Sequence, residues 1–144
     1  MQIAVVDGMG GGLGAQITSY LADELPESEI EIIALGTNAR ATSRLLKAGA
    51  DRGASRDNAI KVMCEKVDVI VGPVGIMIPN SMMGEISPET ATVIASSKAE
   101  KFLLAVHQPH FQLTGTRDEP LNVLIKELIA EVKDFVLTEE PEKQ

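Results

Sequence analysis

The stretch "IAVVDGMGGGLG" near the start limits the folds open to this chain more than any other. Ile3 to Val6 is an unbroken apolar run, the pattern of a strand covered on both faces. Five glycines follow between Gly8 and Gly14, and Leu13, Ile17, Leu21 and Leu25 then recur at helical spacing until Pro26 stops them. Strand, glycine turn and helix in that order open a β-α-β unit. A crossover of that kind requires a parallel sheet.

The rest of the chain repeats the alternation. Ile30 to Leu35 reads as a second strand ended by Gly36, and Thr37 or Asn38 caps a helix running to about Lys47. "AGADRGASRDN" is small and polar, with room for one very short strand before Ser55 or Asp57 caps the next helix. Val67 to Val71 is a further buried-type strand closed by Gly72-Pro73. Ser87-Pro88-Glu89 is a strong helix start, with a hydroxyl cap, proline at the first helical position and an acid in the first turn. That helix ends near Lys98, and Phe102 to Val106 reads as the fifth strand. Only His107 to His110 separates it from "FQLTG", too short for a parallel crossover, so any strand there runs antiparallel at a sheet edge. Pro120 opens a last helix whose Leu121, Leu124, Ile125, Leu128, Ile129, Val132 and Val136 form a broad apolar face.

These elements predict an α/β fold: a three-layer, Rossmann-like, doubly wound parallel sheet of order about 3-2-1-4-5, with an antiparallel edge strand. Residues 1–137 are expected to form one domain, and 138–144 a disordered acidic tail.

The glycine loop lies where a dinucleotide fingerprint lies, between the first strand and a helix N-terminus. Gly8-x-x-x-Gly12-x-Gly14 resembles the short-chain dehydrogenase pattern, and Gly10-x-Gly12-x-x-Ala15 fits the general one. Without Cβ atoms the backbone of Gly8, Gly10, Gly11, Gly12, Leu13 and Gly14 can approach a phosphate with its N–H groups. The same glycines also serve positive φ angles and close packing. The catalytic Tyr-x-x-x-Lys of the dehydrogenases is missing, since Tyr20, the single tyrosine, is followed four residues on by Glu24.

At the end of the second strand, "GTNAR" has no acid to hold ribose hydroxyls. Arg40 and Arg44, one helical turn apart, either solvate a surface helix or meet a 2′-phosphate, which favours NADP or a phosphorylated sugar nucleotide, and Thr37 and Asn38 join Arg40 as cofactor-binding candidates. Asp7 can cap loop N–H groups, coordinate a cation or repel a phosphate, and capping is favoured. In "GPVGIMIPNSMMG", Gly72, Pro73 and Gly75 permit close backbone approach and Asn80 offers neutral polar atoms. Met77, Met82 and Met83 form an adaptable apolar lip that serves a pocket or a subunit contact. His107 is a candidate for acid/base chemistry or phosphate contact. His107-x-x-His110 alone does not make a metal site, and no metal is expected.

Composition excludes other classes. A net charge of -8 with 3% aromatics opposes nucleic-acid binding, which needs clustered Lys/Arg and stacking rings. The single cysteine, Cys64, forms no internal disulfide. No apolar run approaches a membrane span and no basic region precedes an apolar stretch at the N-terminus, so a cytoplasmic protein without a membrane partner is expected.

"DGMGGGLG", "EIIALGTNARATSRLLKAGA", "VDVIVGPVGIMIPNSMMGEISPE" and "SSKAEK" resemble an uncharacterised family of short bacterial proteins, a domain of unknown function found mainly in anaerobes. The resemblance reaches to about Gly115 and brings no assigned activity. Gly72-Pro73, Pro79-Asn80 and Ser97-Lys98-Ala99 are similar, more faintly, to segments of the gluconeogenesis factor and phospholactate transferase superfamily, which implies nucleotide-linked ligands at this edge.

The expectation is a homo-oligomeric nucleotide-binding protein acting as sensor or accessory. The alternatives are a nucleotide-dependent transferase or reductase using Asp7 or His107, and an assembly module that binds nothing.

Overall fold

The computed structural model describes residues 1–139. Its strands are β1 (Gln2–Asp7), β2 (Glu31–Gly36), β3 (Arg52–Ser55), β4 (Val69–Pro73) and β5 (Glu100–Leu104). Its helices are α1 (Gly12–Glu24), α2 (Ala39–Lys47), α3 (Asp57–Cys64), α4 (Pro88–Ser96) and α5 (Leu121–Glu139). The five strands form one sheet in the order β3-β2-β1-β4-β5, and every pairing is parallel. This is the α/β, Rossmann-like order expected from the alternation.

The side-chain period of the strands explains the two cores. Ile3 and Val5 of β1 face α1 and α5, packing with Ile17, Leu21, Ile125 and Val132. Ala4 and Val6 face the other way, towards Ile60 of α3 and Ile94 of α4. A central strand with both faces covered has no place for polar alternation, and hence Ile3 to Val6 is continuous.

Two helix starts follow local chemistry and a third does not. Asn38 caps α2, its side chain accepting from the Ala41 N–H at 2.8 Å, and Ser87 caps α4 by accepting from the Thr90 N–H at 3.1 Å. Neither Ser55 nor Asp57 caps α3. Arg56 takes that position at φ 79° with no side-chain cap, because the Ser55 hydroxyl donates to Thr42 Oγ1 at 2.8 Å.

Two boundaries depart from expectation. β5 spans Glu100–Leu104, two residues earlier than the apolar run suggests, because its register pairs Val69 with Glu100 and Pro73 with Leu104. The antiparallel edge strand does not form among the described residues. Between β5 and α5 there is only an isolated antiparallel bridge, Gln108 to Phe111, closed by a turn in which the Phe111 N–H donates to the Gln108 carbonyl at 3.3 Å. Pro109 has no N–H for a ladder, and His110 and Gly115 adopt positive φ, which breaks extended backbone. Helix α5 runs on through Thr138 to Glu139, so the tail expected at 138–144 begins helical and otherwise lies outside the described residues.

Candidate functional site

The chain leaves β3 and returns to the sheet beyond β1, so the strand order switches between β1 and β4. In open α/β sheets, the carboxyl ends of the strands at such a switch are where ligands lie. Here that edge carries the glycine loop, Thr37-Asn38, and the connection from β4 to α4.

Asp7 organises the loop. It is 5% exposed, and its two carboxyl oxygens accept from the Gly8 N–H at 2.8 Å and the Gly14 N–H at 2.7 Å. The Gly11 N–H closes a turn onto the Gly8 carbonyl at 2.9 Å. Burial pushes the Asp7 carboxyl above its ordinary range, the two N–H groups pull it back in part, and the nearby Glu85 charge raises it further. Asp7 thus has the capping role.

The five glycines divide by what a side chain would meet. At Gly8 a Cβ would lie 2.5 Å from Thr37 Oγ1, and at Gly14 2.8 Å from the Asp7 Cβ. Gly11 has φ +73° and its Cβ would stand 2.9 Å from the Ala41 Cα. These three are required by packing or backbone conformation. Gly10 and Gly12 are not. Neither has a positive φ, and the nearest atoms to a Cβ at each are the tip of Arg44, at 3.9 and 3.5 Å. The N–H groups of Gly10, Gly12 and Leu13 make no hydrogen bond among the described residues, at the end of α1 where the helix dipole favours an anion. Arg44 lies alongside, its Nη1 donating to the Gly10 carbonyl at 3.3 Å.

The side chain that sequence reasoning missed is Glu85. Its Oε1 accepts from the Met9 N–H at 2.8 Å, the Thr37 hydroxyl at 2.5 Å and the Asn38 amide at 2.9 Å. The Thr37 hydroxyl is the main cause holding its carboxyl below the ordinary range, helped by the Met9 N–H and Asn38. An acid therefore stands at the end of β2 after all, supplied by the connection from β4 to α4. No local signal marks it, because Glu85 is 48 residues from Thr37 in the chain.

Other candidates are placed differently. A Cβ at Gly72 would meet the Val6 carbonyl at 2.5 Å, so packing accounts for it, while one at Gly75 would touch only the movable end of the Gln108 side chain, at 3.0 Å. Pro73 ends β4, while Asn80 is exposed at φ 65°. Arg40 is exposed on α2. His107 is exposed and lines a separate cavity of about 450 Å³ with Val106, Gln108, Phe111, Leu113 and Arg117, to which no glycine-loop residue contributes. Among the described residues, no three His, Cys, Asp or Glu side chains gather where a metal ion could sit, and no helix is long and apolar enough to cross a membrane.

A doubly wound parallel sheet with a glycine turn at its switch point defines the class: a Rossmann-like α/β protein. Over residues 2–137 the chain matches the family described as Domain of unknown function (DUF3842), and it belongs to that family. No curated protein matches it. Among solved structures, a dodecameric FMN-dependent UbiX-like decarboxylase from Escherichia coli O157:H7 is similar in fold, with a TM-score of 0.54 at 16% identity, covering 98% of this chain and 97% of that one.

Proposed function

We propose that this chain binds the phosphate end of a nucleotide-type ligand on the N–H groups of Gly10, Gly12 and Leu13, with Arg44 beside it, and acts as a sensor or accessory protein. The observation that carries this reading is the pair Gly10 and Gly12. Packing and φ explain the other three glycines of the loop and leave these two without a structural reason, beside three free N–H donors. A phosphate that must touch the backbone supplies that reason.

A mononucleotide such as FMN fits better than NADP. Arg44, one of two arginines that suited a 2′-phosphate, is turned onto the glycine loop, while Arg40 is exposed on α2. The fold is also that of an enzyme described as FMN-dependent. That enzyme is a dodecamer, and Met83, 90% exposed at the same edge, gives this chain an apolar contact for self-association. Homo-oligomerisation belongs to the proposal. The enzyme alternative has less support, because both Asp7 oxygens are engaged by the loop and His107 lies in another cavity.

The test is a thermal-shift screen of FMN, NADP, NAD, adenine and guanine nucleotides and uridine sugar nucleotides, repeated on Gly10→Val and Gly12→Val. A ligand at a hundred times its Kd stabilises by about 2.7 kcal/mol, which at roughly 3 °C per kcal/mol is a shift of about 8 °C. A shift from one nucleotide class, lost in both variants, is expected. No shift from any of them with a folded protein overturns the reading.

A further inference from the structure

Residues 81–85 form a small loop folded back onto the glycine turn. Its neck is held by the Asn80 N–H donating to the Ile86 carbonyl at 2.7 Å and the Ile86 N–H donating to the Ser81 carbonyl at 3.3 Å. Within and beside that neck, Asn80, Met82, Met83 and Gly84 all have positive φ, at 65°, 56°, 56° and 88°. Three of these are not glycine, so the backbone is held in a region that side chains disfavour. From this loop Met82 reaches the glycine turn, with its sulfur 2.9 Å from where a Gly8 Cβ would be. Glu85 is the polar anchor, with one carboxylate oxygen taking three donors from two other elements.

Three donors converging on one oxygen, a backbone N–H, a hydroxyl and an amide, make an anion-binding arrangement. The chain fills it with its own carboxylate. Thr37 and Asn38 stand against the glycine turn, where the Asn38 amide also donates to the Met9 carbonyl at 3.0 Å and a Cβ at Gly8 would meet Thr37 Oγ1, and Glu85 with Met82 closes on the same place.

We infer that residues 81–85 are a strap, latched through Glu85 to Met9, Thr37 and Asn38, that closes the glycine loop and has to release before a nucleotide-type ligand extends along the edge. The latch stands on the contacts of Glu85 alone, while its consequence for ligands rests on the proposed function. A strap that is mostly closed lowers apparent affinity by the fraction of molecules that are open, so weakening the latch tightens binding.

The experiment compares the native protein with Glu85→Gln, Glu85→Ala and a control, Glu89→Gln on α4. Hydrogen exchange of residues 8–11 and 81–86 reads the latch without any ligand, and titration with FMN and with inorganic pyrophosphate reads the consequence. In both Glu85 variants, exchange at Met9 and across 81–86 is expected to rise on the order of tenfold, the equivalent of one hydrogen bond to a charged group. FMN or pyrophosphate binding tightens by a similar factor, and the control changes neither. Unchanged exchange in both Glu85 variants overturns the latch. Faster exchange with unaltered affinity overturns its gating role. Faster exchange when neither probe binds any of the proteins supports the latch and refutes the nucleotide reading instead.

Discussion

Asp7→Asn separates the two forces acting on the buried carboxyl, and their balance fixes how its effect varies with pH. Both Asp7 oxygens accept backbone N–H groups, from Gly8 at 2.8 Å and Gly14 at 2.7 Å. A protonated carboxyl still offers an oxygen to each. Asparagine replaces one oxygen by an NH2, which sets a donor against a donor inside the loop. An unsatisfied buried N–H costs about 1–3 kcal/mol, so the variant should be less stable by that amount at acid pH, or about 3–9 °C in Tm at roughly 3 °C per kcal/mol.

Raising the pH changes the comparison. In the unfolded chain Asp7 ionises near its ordinary value of 3.8, whereas in the folded protein burial holds the proton to higher pH. Between the two values the folded state binds more protons than the unfolded one. Wild-type stability from this group is therefore fully present below 3.8 and falls as pH rises through the folded value, at up to about 1.4 kcal/mol per pH unit. Asparagine does not titrate, so the deficit of Asp7→Asn should shrink as pH rises from about 3.5 to 7. Urea unfolding of both proteins at half-unit pH steps reads this difference directly. The other titrating groups are common to both chains and largely cancel. A deficit that grows with pH would refute the reasoning, because the two N–H bonds would then outweigh the loss of hydration.

Two further predictions test other parts of the structure. Gly11→Ala should destabilise by roughly 1–3 kcal/mol, since it combines φ +73° with a contact 2.9 Å from the Ala41 Cα. Gly12→Ala should be neutral or stabilising by up to about 1 kcal/mol, as its conformation is open to any residue, and chemical denaturation of the pair measures the contrast. Cys64 is buried on α3 and its thiol is pushed up to about 11 from an ordinary 9.0. Its reaction with a disulfide reagent at pH 8 should be about a hundredfold slower in the folded protein than in denaturant, in proportion to the lost thiolate. Equal rates would show that the thiol is open to solvent.

The elements that sequence alone located correctly share one property: their cause is local. Ile3 to Val6 is apolar because both sides of β1 are covered, Ser87-Pro88 starts α4 by its own hydroxyl and ring, and Asn38 caps α2 three residues ahead of its donor. Two of the failures were set by distant partners. β5 is shifted towards Glu100 by its pairing with Val69, a constraint 31 positions away that the apolar run Phe102 to Val106 does not carry. Ser55 has a capping side chain, yet Thr42 on the neighbouring helix takes its hydroxyl and leaves α3 to Arg56.

The candidate site shows the same division at the level of single atoms. Five glycines in a row of seven residues are legible as a motif, but which of them a ligand would need is not. That depends on Thr37, Ala41 and Asp7 filling the space over Gly8, Gly11 and Gly14 while nothing but the tip of Arg44 approaches Gly10 and Gly12. The two carboxylates of the site then act at different places. Asp7 is buried and gives both carboxyl oxygens to Gly8 and Gly14, so it shapes the turn, while Glu85 lies across Met9 and the end of β2. A phosphate on the N–H groups of Gly10, Gly12 and Leu13, as proposed, would bring a further negative charge to an edge that already holds both carboxyls. Burial already opposes a charge on Asp7, whereas the donors around Glu85 favour its charged form, so on the proposed reading it is Glu85, on the connection from β4 to α4, that has to give way.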